Sequence, residues 1–295
     1  MIASRQGRLS HPVMTKNNPI VFFGTPDFAA RVLKGILQSG LCVAAVISMP
    51  DRPQGRGYQL MSTPVKQMAI SSNIACYQPE NAVQLQALLE GLEPFLGLVV
   101  AYGMILPSQI VHQFELVNLH ASILPRYRGA SPIQAALLNG DVETGMTLMK
   151  IGEAVDSGDV IAIEHVSIDP LDQAATLTDK LIVASVKLFV DQYGRQTLPW
   201  KGKPQDHTLS TMTKKIKRED GLIDLSAESP ESIYRKWQAY TPWPGVFVFH
   251  EGKRVKLIEV EFQDNKLNIQ KVQCEGKSVI SYQQFVHGNG SLLAS

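Results

Sequence analysis

Two side chains able to handle a reacting carbonyl stand two residues apart at the end of an apolar run: Asn118 and His120 in ELVNLH (115–120). A side-chain amide can donate to a developing oxyanion, and an imidazole can carry protons near neutral pH. If the run is a strand, its period of two puts both groups on one side. That pair suits acyl transfer. A lone histidine is usually a surface or satisfied core residue, but among the seven histidines His120 ends a buried strand. A carboxylate would complete the set by fixing the charge or tautomer of the ring. One candidate is Asp156 in GEAVDSGDVIA (152–162), between the apolar stretches MTLMKI (146–151) and VIAIEHVSI (160–168). Asp-Ser-Gly is also good chemistry for a plain hairpin turn, and spacing alone favours that plainer reading.

The elements that must position these groups alternate. PIVFFG (19–24), LCVAAVIS (41–48), IACYQ (74–78), LGLVVAYG (96–103) and ELVNLH (115–120) read as strands. PDFAARVLKGILQSG (26–40), TPVKQMAISSN (63–73) and NAVQLQALLEGL (81–92) read as helices between them. Strands apolar throughout are covered on both faces, which predicts an α/β fold: a Rossmann-like, mostly parallel sheet with helices on either side. Ligands of such sheets bind at the carboxyl ends of the strands, where Val100–Gly103 and Asn118–His120 both fall. After a helix at 172–191, YGRQTLPWKGKPQDHT (193–208) is polar and aperiodic and reads as a linker. ESIYRKWQAY (231–240) is helical, and GVFVFHEGKRVKLIEVEF (245–262) has the texture of a hairpin, which predicts a small OB-like β-barrel. The expected division is a tail at 1–17, a catalytic domain at 18–192, the linker, and a small domain at 209–295.

Composition narrows the classes. The 295 residues are 44% hydrophobic and 19% charged with a net charge of +1, so a polyanionic partner must be met by a local patch. Cys42, Cys76 and Cys274 are scattered, which supports neither a disulfide framework nor a metal site and fits a reducing compartment. No apolar run approaches the roughly 20 residues that span a bilayer. The first 17 residues lack acids, as transit peptides do, but Gly7 and Pro12 interrupt any helix. A disordered tail, or an extra stretch ahead of a start at Met14, is expected there, with the protein monomeric and in a bacterial-type cytoplasm, import into an organelle being the open alternative.

NLHASILPRYRGASPIQAALLNGD followed by TGMTLMKIGEAVDSGD (118–159) resembles the formyltransferases that use 10-formyltetrahydrofolate. Their pattern is Asn-x-His, then Ser-Leu-Leu-Pro with an aromatic-Arg-Gly turn, then Leu-Asp-Thr-Gly. The resemblance implies catalytic roles for Asn118, His120 and Asp156, and a folate contact at Ser122, Ile123, Leu124 and Pro125. Val100, Ala101, Tyr102 and Gly103, with Met104 and Leu106, lie where a slot for the folate ring would form, although VVAYG also reads as plain strand core. Leu124-Pro125 is a candidate cis bond. The glycine of FFGTPDFAA (22–30) lacks the G-x-G-x-x-G spacing, so no dinucleotide phosphate is assigned to it.

Five stretches resemble the branch of the family that acts on methionyl initiator tRNA, the first being FFGTPDFAA (22–30), which is similar to its first strand and turn. MPDRPQGRG (49–57) is similar to its insertion after the second strand, and TKKIKREDGLIDL (213–225), AYTPWPGVF (239–247) and GKSVISYQQF (276–285) follow its C-terminal domain in order. The similarity covers about residues 19–287. It implies 10-formyltetrahydrofolate as donor, initiator methionyl-tRNA as partner, and no metal. Arg52 and Arg56 would meet phosphates, with Gly55 and Gly57 supplying flexibility; two arginines by themselves are an ordinary surface loop. From residue 206 on, 12 basic and 11 acidic residues balance, so any basic track is one face: Lys214, Lys215, Lys217 and Arg218. Departures from the family are Ser-Ile-Leu-Pro, Asp-Ser-Gly, Gln238 in place of an Arg, and Thr-Met-Thr (211–213) in place of Thr-Tyr-Ala.

The expected chemistry is attack of a free amine on the formyl carbon, with Asn118 donating to the oxyanion, His120 stabilising it as imidazolium, and Asp156 holding that charge. One rival is a folate-dependent enzyme acting on an amino sugar nucleotide, which would lack the Asp-Arg-Pro loop at 51–57. The other is a non-catalytic RNA-binding protein on a decayed scaffold, against which the intact Asn, His and Asp argue.

Overall fold

The computed structural model describes residues 18–54, 59–195 and 197–292. The expected tail at 1–17, and Gly55, Arg56 and Gly57, lie outside the described residues.

The first half alternates as its apolar runs demand: β1 (Ile20–Gly24), α1 (Asp27–Gln38), β2 (Val43–Ile47), a short hairpin β3 (Arg52–Gln54) and β4 (Gln59–Met61), α2 (Pro64–Ser71), β5 (Ala75–Tyr77), α3 (Ala82–Leu92), β6 (Leu96–Val100), α4 (Ser108–Gln113) and β7 (Leu116–His120). All five residues of β1 and of β6 are buried, so each strand is covered on both faces. The helices start where the sequence supplies caps. The Thr63 hydroxyl accepts from the Lys66 N–H at 3.2 Å, and Asn81 accepts from the N–H groups of Val83 and Gln84. Then come β8 (Arg128–Gly129), α5 (Pro132–Asn139), β9 (Glu143–Lys150), β10 (Val160–Ser167), α6 (Ala174–Tyr193), β11 (Met212–Thr213), α7 (Pro230–Tyr240), β12 (Val246–His250), β13 (Lys253–Gln263), β14 (Lys266–Cys274), β15 (Val279–Ser281) and α8 (Tyr282–Asn289).

The main sheet has seven strands in the order β10-β9-β7-β6-β1-β2-β5. Pairing is parallel from β7 to β5, and β9 runs antiparallel to β7. The order reverses between β1 and β6, which is where open sheets of this kind leave a crevice. Gly24 ends β1 there for want of space: a Cβ would lie 2.7 Å from Ala29 Cβ and 3.0 Å from the Val100 carbonyl oxygen.

The chain divides into two compact units. One runs to His120 and adds Met146–Glu164 and Ile182–Gln205. A core cluster on one face of its sheet joins Val21, Phe23, Ile47, Leu85, Leu89 and Leu116, and Tyr102 packs edge-on to Phe23 at 5.6 Å. The 193–208 stretch, expected as a linker, is mostly exposed but anchored at Tyr193, Trp200 and Gln205, which are buried. Trp200 is buried and its ring stacks on Phe189, its backbone N–H donates to the Glu115 carboxylate, and Lys203 exchanges two backbone bonds of 2.8 Å with Val160. One aromatic side chain and a β-bridge fasten a stretch of otherwise polar composition.

The other unit holds Ala121–Gly145, His165–Leu181 and everything from Asp206. Its β-rich part is the four-stranded antiparallel sheet β12-β13-β14-β15, against which α7 and α8 pack. Val255, Leu257 and Val260 turn inward along β13, and the register shifts around Ile258. The carbonyl of Ile258 accepts from the Trp237 indole at 3.2 Å. Gln238, which stands in place of the family's Arg, is buried, and its amide donates to the carbonyls of Pro170 and Asp172 at 2.9 and 2.8 Å.

Candidate active site

β7 carries the site because it lies inside the sheet, between β6 and β9, with its carboxyl end at His120. In register, Asn118 faces Val99 and Met149 across the two neighbouring strands, and His120 faces Thr147. Being two apart, the two side chains leave the sheet on the same face. His120 is buried, and Asn118 is partly exposed.

Asp156 reaches His120 from the connection between β9 and β10. Its Oδ2 lies 3.4 Å from His120 Nδ1, long for a hydrogen bond but within ion-pair distance of a protonated ring. Nδ1 is the ring nitrogen turned toward the carboxylate. The connection is tightly built. Asp156 has φ +50°, a left-handed conformation more usual for Gly, Asn or Asp. Gly158 is required where it stands, since a Cβ would come 1.9 Å from the Lys150 carbonyl oxygen. Ser157 Oγ donates to the Ala154 carbonyl at 2.8 Å.

Gln205, which nothing in the sequence singles out, supports this turn. It is buried, and its side-chain amide donates to the carbonyls of Asp156 and Gly158 at 2.9 and 2.7 Å. Its only sequence context is a polar, Pro-rich stretch, and a glutamine there carries no signal of a partner 49 residues away.

At the end of β6, Val100 is wholly buried, whereas Ala101 and Gly103 are exposed and adopt positive φ. Tyr102 turns back into the core, and its carbonyl accepts from the Thr25 hydroxyl at 2.5 Å. Burial pushes the Tyr102 phenol up to about 12. In the loop after β7, Ser122 is buried and its hydroxyl donates to the Arg126 carbonyl at 2.6 Å. Ile123 and Pro125 are partly exposed, Leu124 is buried, and the Leu124-Pro125 bond is cis. Arg52 is exposed on β3, and Lys214, Lys215 and Lys217 are exposed just after β11.

Residues 18–192 match the formyl transferase family, and residues 215–268 match the formyl transferase C-terminal domain. The chain belongs to the formyl transferase family. It is a formyl-transferring enzyme. A methionyl-tRNA formyltransferase from Sulfurihydrogenibium sp. (strain YO3AOP1) is 38% identical over 258 residues, 84% of this chain and 82% of the relative. Among solved structures, methionyl-tRNA formyltransferase from Clostridium thermocellum shares the fold with a TM-score of 0.57 at 15% identity, over 90% of this chain and 99% of that one. HypX from Aquifex aeolicus, solved in complex with tetrahydrofolic acid, gives a TM-score of 0.62 at 14% identity over 95% of this chain. The chain spans about half the length of HypX, 48%, so that likeness concerns the fold.

Proposed function

We propose that this member of the family moves the formyl group of 10-formyltetrahydrofolate to the α-amino group of methionine esterified to initiator tRNA. The observation that carries the chemistry is the His120–Asp156 pair at 3.4 Å beside Asn118 at the carboxyl end of β7. The acceptor is supported by the names of relatives at 38% and 36% identity over 84% and 91% of the chain. The donor is supported by the Ser-Ile-Leu-Pro resemblance at 122–125 and by the tetrahydrofolic acid bound to HypX.

In this reading the unprotonated amine of methionine attacks the formyl carbon, and the carbonyl oxygen becomes an oxyanion. Asn118 donates to that oxygen, and His120 in its protonated form adds charge. Asp156 holds the ring by Nδ1 and takes up the proton that the attacking amine loses. Collapse of the tetrahedral centre breaks the bond from the formyl carbon to N10, and N10 takes a proton in exchange. Gln205 keeps the Asp156 turn in place from behind. Arg52, Arg56, Lys214, Lys215 and Lys217 meet tRNA phosphates, and residues 18–192 and 209–295 serve as catalytic and tRNA-binding regions. A monomer in the bacterial cytoplasm suits this role. Among the described residues no helix is long and apolar enough to cross a membrane.

Incubation with 10-formyltetrahydrofolate and methionylated initiator or elongator tRNA tests the reading. Formyl-methionine should appear on the initiator tRNA far faster than on the elongator. Equal rates, or no product, would remove the acceptor from the assignment.

A further inference from the structure

We infer that Thr213 is a positioning residue for the loop that carries Ser122–Pro125, acting through its side-chain hydroxyl. The proposal rests on the reading of that loop as the donor contact.

The loop after β7 has little secondary structure of its own. Ser122 Oγ donates to the Arg126 carbonyl, and Tyr127 sits at φ +59°. A strap formed by residues 211–213 supplies what the loop lacks. The Thr211 carbonyl accepts from the Arg128 N–H at 2.9 Å, and its hydroxyl accepts from the Tyr127 N–H at 2.8 Å. β11 runs parallel to β8, with Met212 opposite Arg128 and Thr213 opposite Gly129. The approach is so close that a Cβ on Gly129 would lie 2.6 Å from the Thr213 carbonyl oxygen.

Thr213 then closes the end of the loop with both capacities of one hydroxyl. Oγ1 donates to the Arg128 carbonyl at 2.9 Å and accepts from the Ser131 N–H at 3.0 Å, which ties the loop to the entry of α5. Isosteric removal takes away the two bonds that the hydroxyl makes to the Arg128 carbonyl and the Ser131 N–H. A loop with that much less restraint spends less time in the donor-binding arrangement, so its apparent affinity falls by the lost fraction.

The test is the dissociation constant for tetrahydrofolate, measured by titration calorimetry on the full chain, for wild type, Thr213→Val and Thr213→Ser. Amide hydrogen exchange at Ser131 is followed in parallel. Thr213→Val should bind tetrahydrofolate about 3- to 10-fold more weakly and exchange faster at Ser131, while Thr213→Ser, which keeps the hydroxyl, stays within about 2-fold of wild type. If the valine variant does not fold, Thr213→Ala replaces it with the same expectation. Wild-type affinity in the hydroxyl-free variant, or a serine variant as weak as the valine one, overturns the proposal. Wild-type protein that binds no tetrahydrofolate overturns it together with the donor reading. Wild-type protein that binds tetrahydrofolate but does not formylate methionyl-tRNA counts against the acceptor reading alone.

Discussion

Lys66 Nζ stands 2.6 Å from Asp51 Oδ2, and Gln78 closes the set by accepting from Lys66 at 2.6 Å and donating to Asp51 Oδ1 at 2.7 Å. The Gln78 amide also donates to the Met49 carbonyl at 2.7 Å. The residue just before Arg52 is thus fixed to α2 and to the end of β5, and Lys66 is engaged with protein groups. The hydrogen bond from Lys66, with Gln78 and the Lys66 charge behind it, holds the Asp51 carboxyl below the usual carboxylate value against the opposing effect of burial. A depressed folded value stabilises the fold above the unfolded carboxylate value of about 3.9, and that contribution is lost as pH falls through the folded value. Asp51→Asn should therefore lower stability by about 1–2 kcal/mol at pH 7, and the gap from wild type should close as pH falls below the unfolded value. Urea titrations at a series of pH values check this; a gap that is constant with pH would deny the charge any part.

The pairing of His120 with Asp156 sets a second expectation. Asn118→Ala and His120→Ala should each cut the turnover of formyl transfer by on the order of 10²-fold, with tetrahydrofolate binding kept. Steady-state rates together with calorimetry separate the two. Near-normal formylation by His120→Ala would remove that residue from the chemistry.

Tyr102 yields a prediction of opposite sign. Among the described residues its buried hydroxyl has no hydrogen-bond partner, and its ring lies in the core cluster. Tyr102→Phe deletes an unpaired polar atom and should raise stability by about 1 kcal/mol while the donor KM stays within about 2-fold. Thermal melts and initial rates test both halves. A donor KM raised tenfold would mean that the hydroxyl meets the ligand after all.

Gln238 is held by two carbonyl oxygens, those of Pro170 and Asp172, in a buried place. Gln238→Leu keeps the volume but orphans both acceptors, so it should cost about 1–3 kcal/mol in urea unfolding with little effect on the KM for either substrate. A selective rise in the methionyl-tRNA KM would instead make Gln238 an RNA contact.

The exposed lysines after β11 should behave as phosphate contacts. Lys214→Ala and Lys215→Ala should weaken methionyl-tRNA binding and leave tetrahydrofolate affinity unchanged. Each should also reduce the slope of log affinity against log salt by about one, the share of a single neutralised phosphate. Filter binding across a salt series reads the slope, and unchanged slopes would clear these side chains of any contact with RNA.

Much of this molecule was legible because burial leaves a local trace. IVFFG and LGLVV are apolar at every position, and only strands covered on both faces have that texture, so the parallel sheet and the carboxyl-end location of Asn118 and His120 followed from the residues themselves. The alternation of strands places Asn118 and His120 on one side without any knowledge of the rest of the chain. Asp156 was different: its Asp-Ser-Gly turn reads more readily as a bare hairpin, and only the fold brings its carboxylate to His120 across 36 residues of sequence. The supports were not legible at all. Gln205 reaches the Asp156 turn, Thr213 reaches Arg128 and Ser131, and Trp200 buries itself in a stretch that reads as a linker. Each acts through one or two hydrogen bonds or one buried ring, interactions that impose no periodicity on the residues around them. Pattern records the faces that meet the core over several turns or strands, whereas a single long-range bond exists only once the chain has folded.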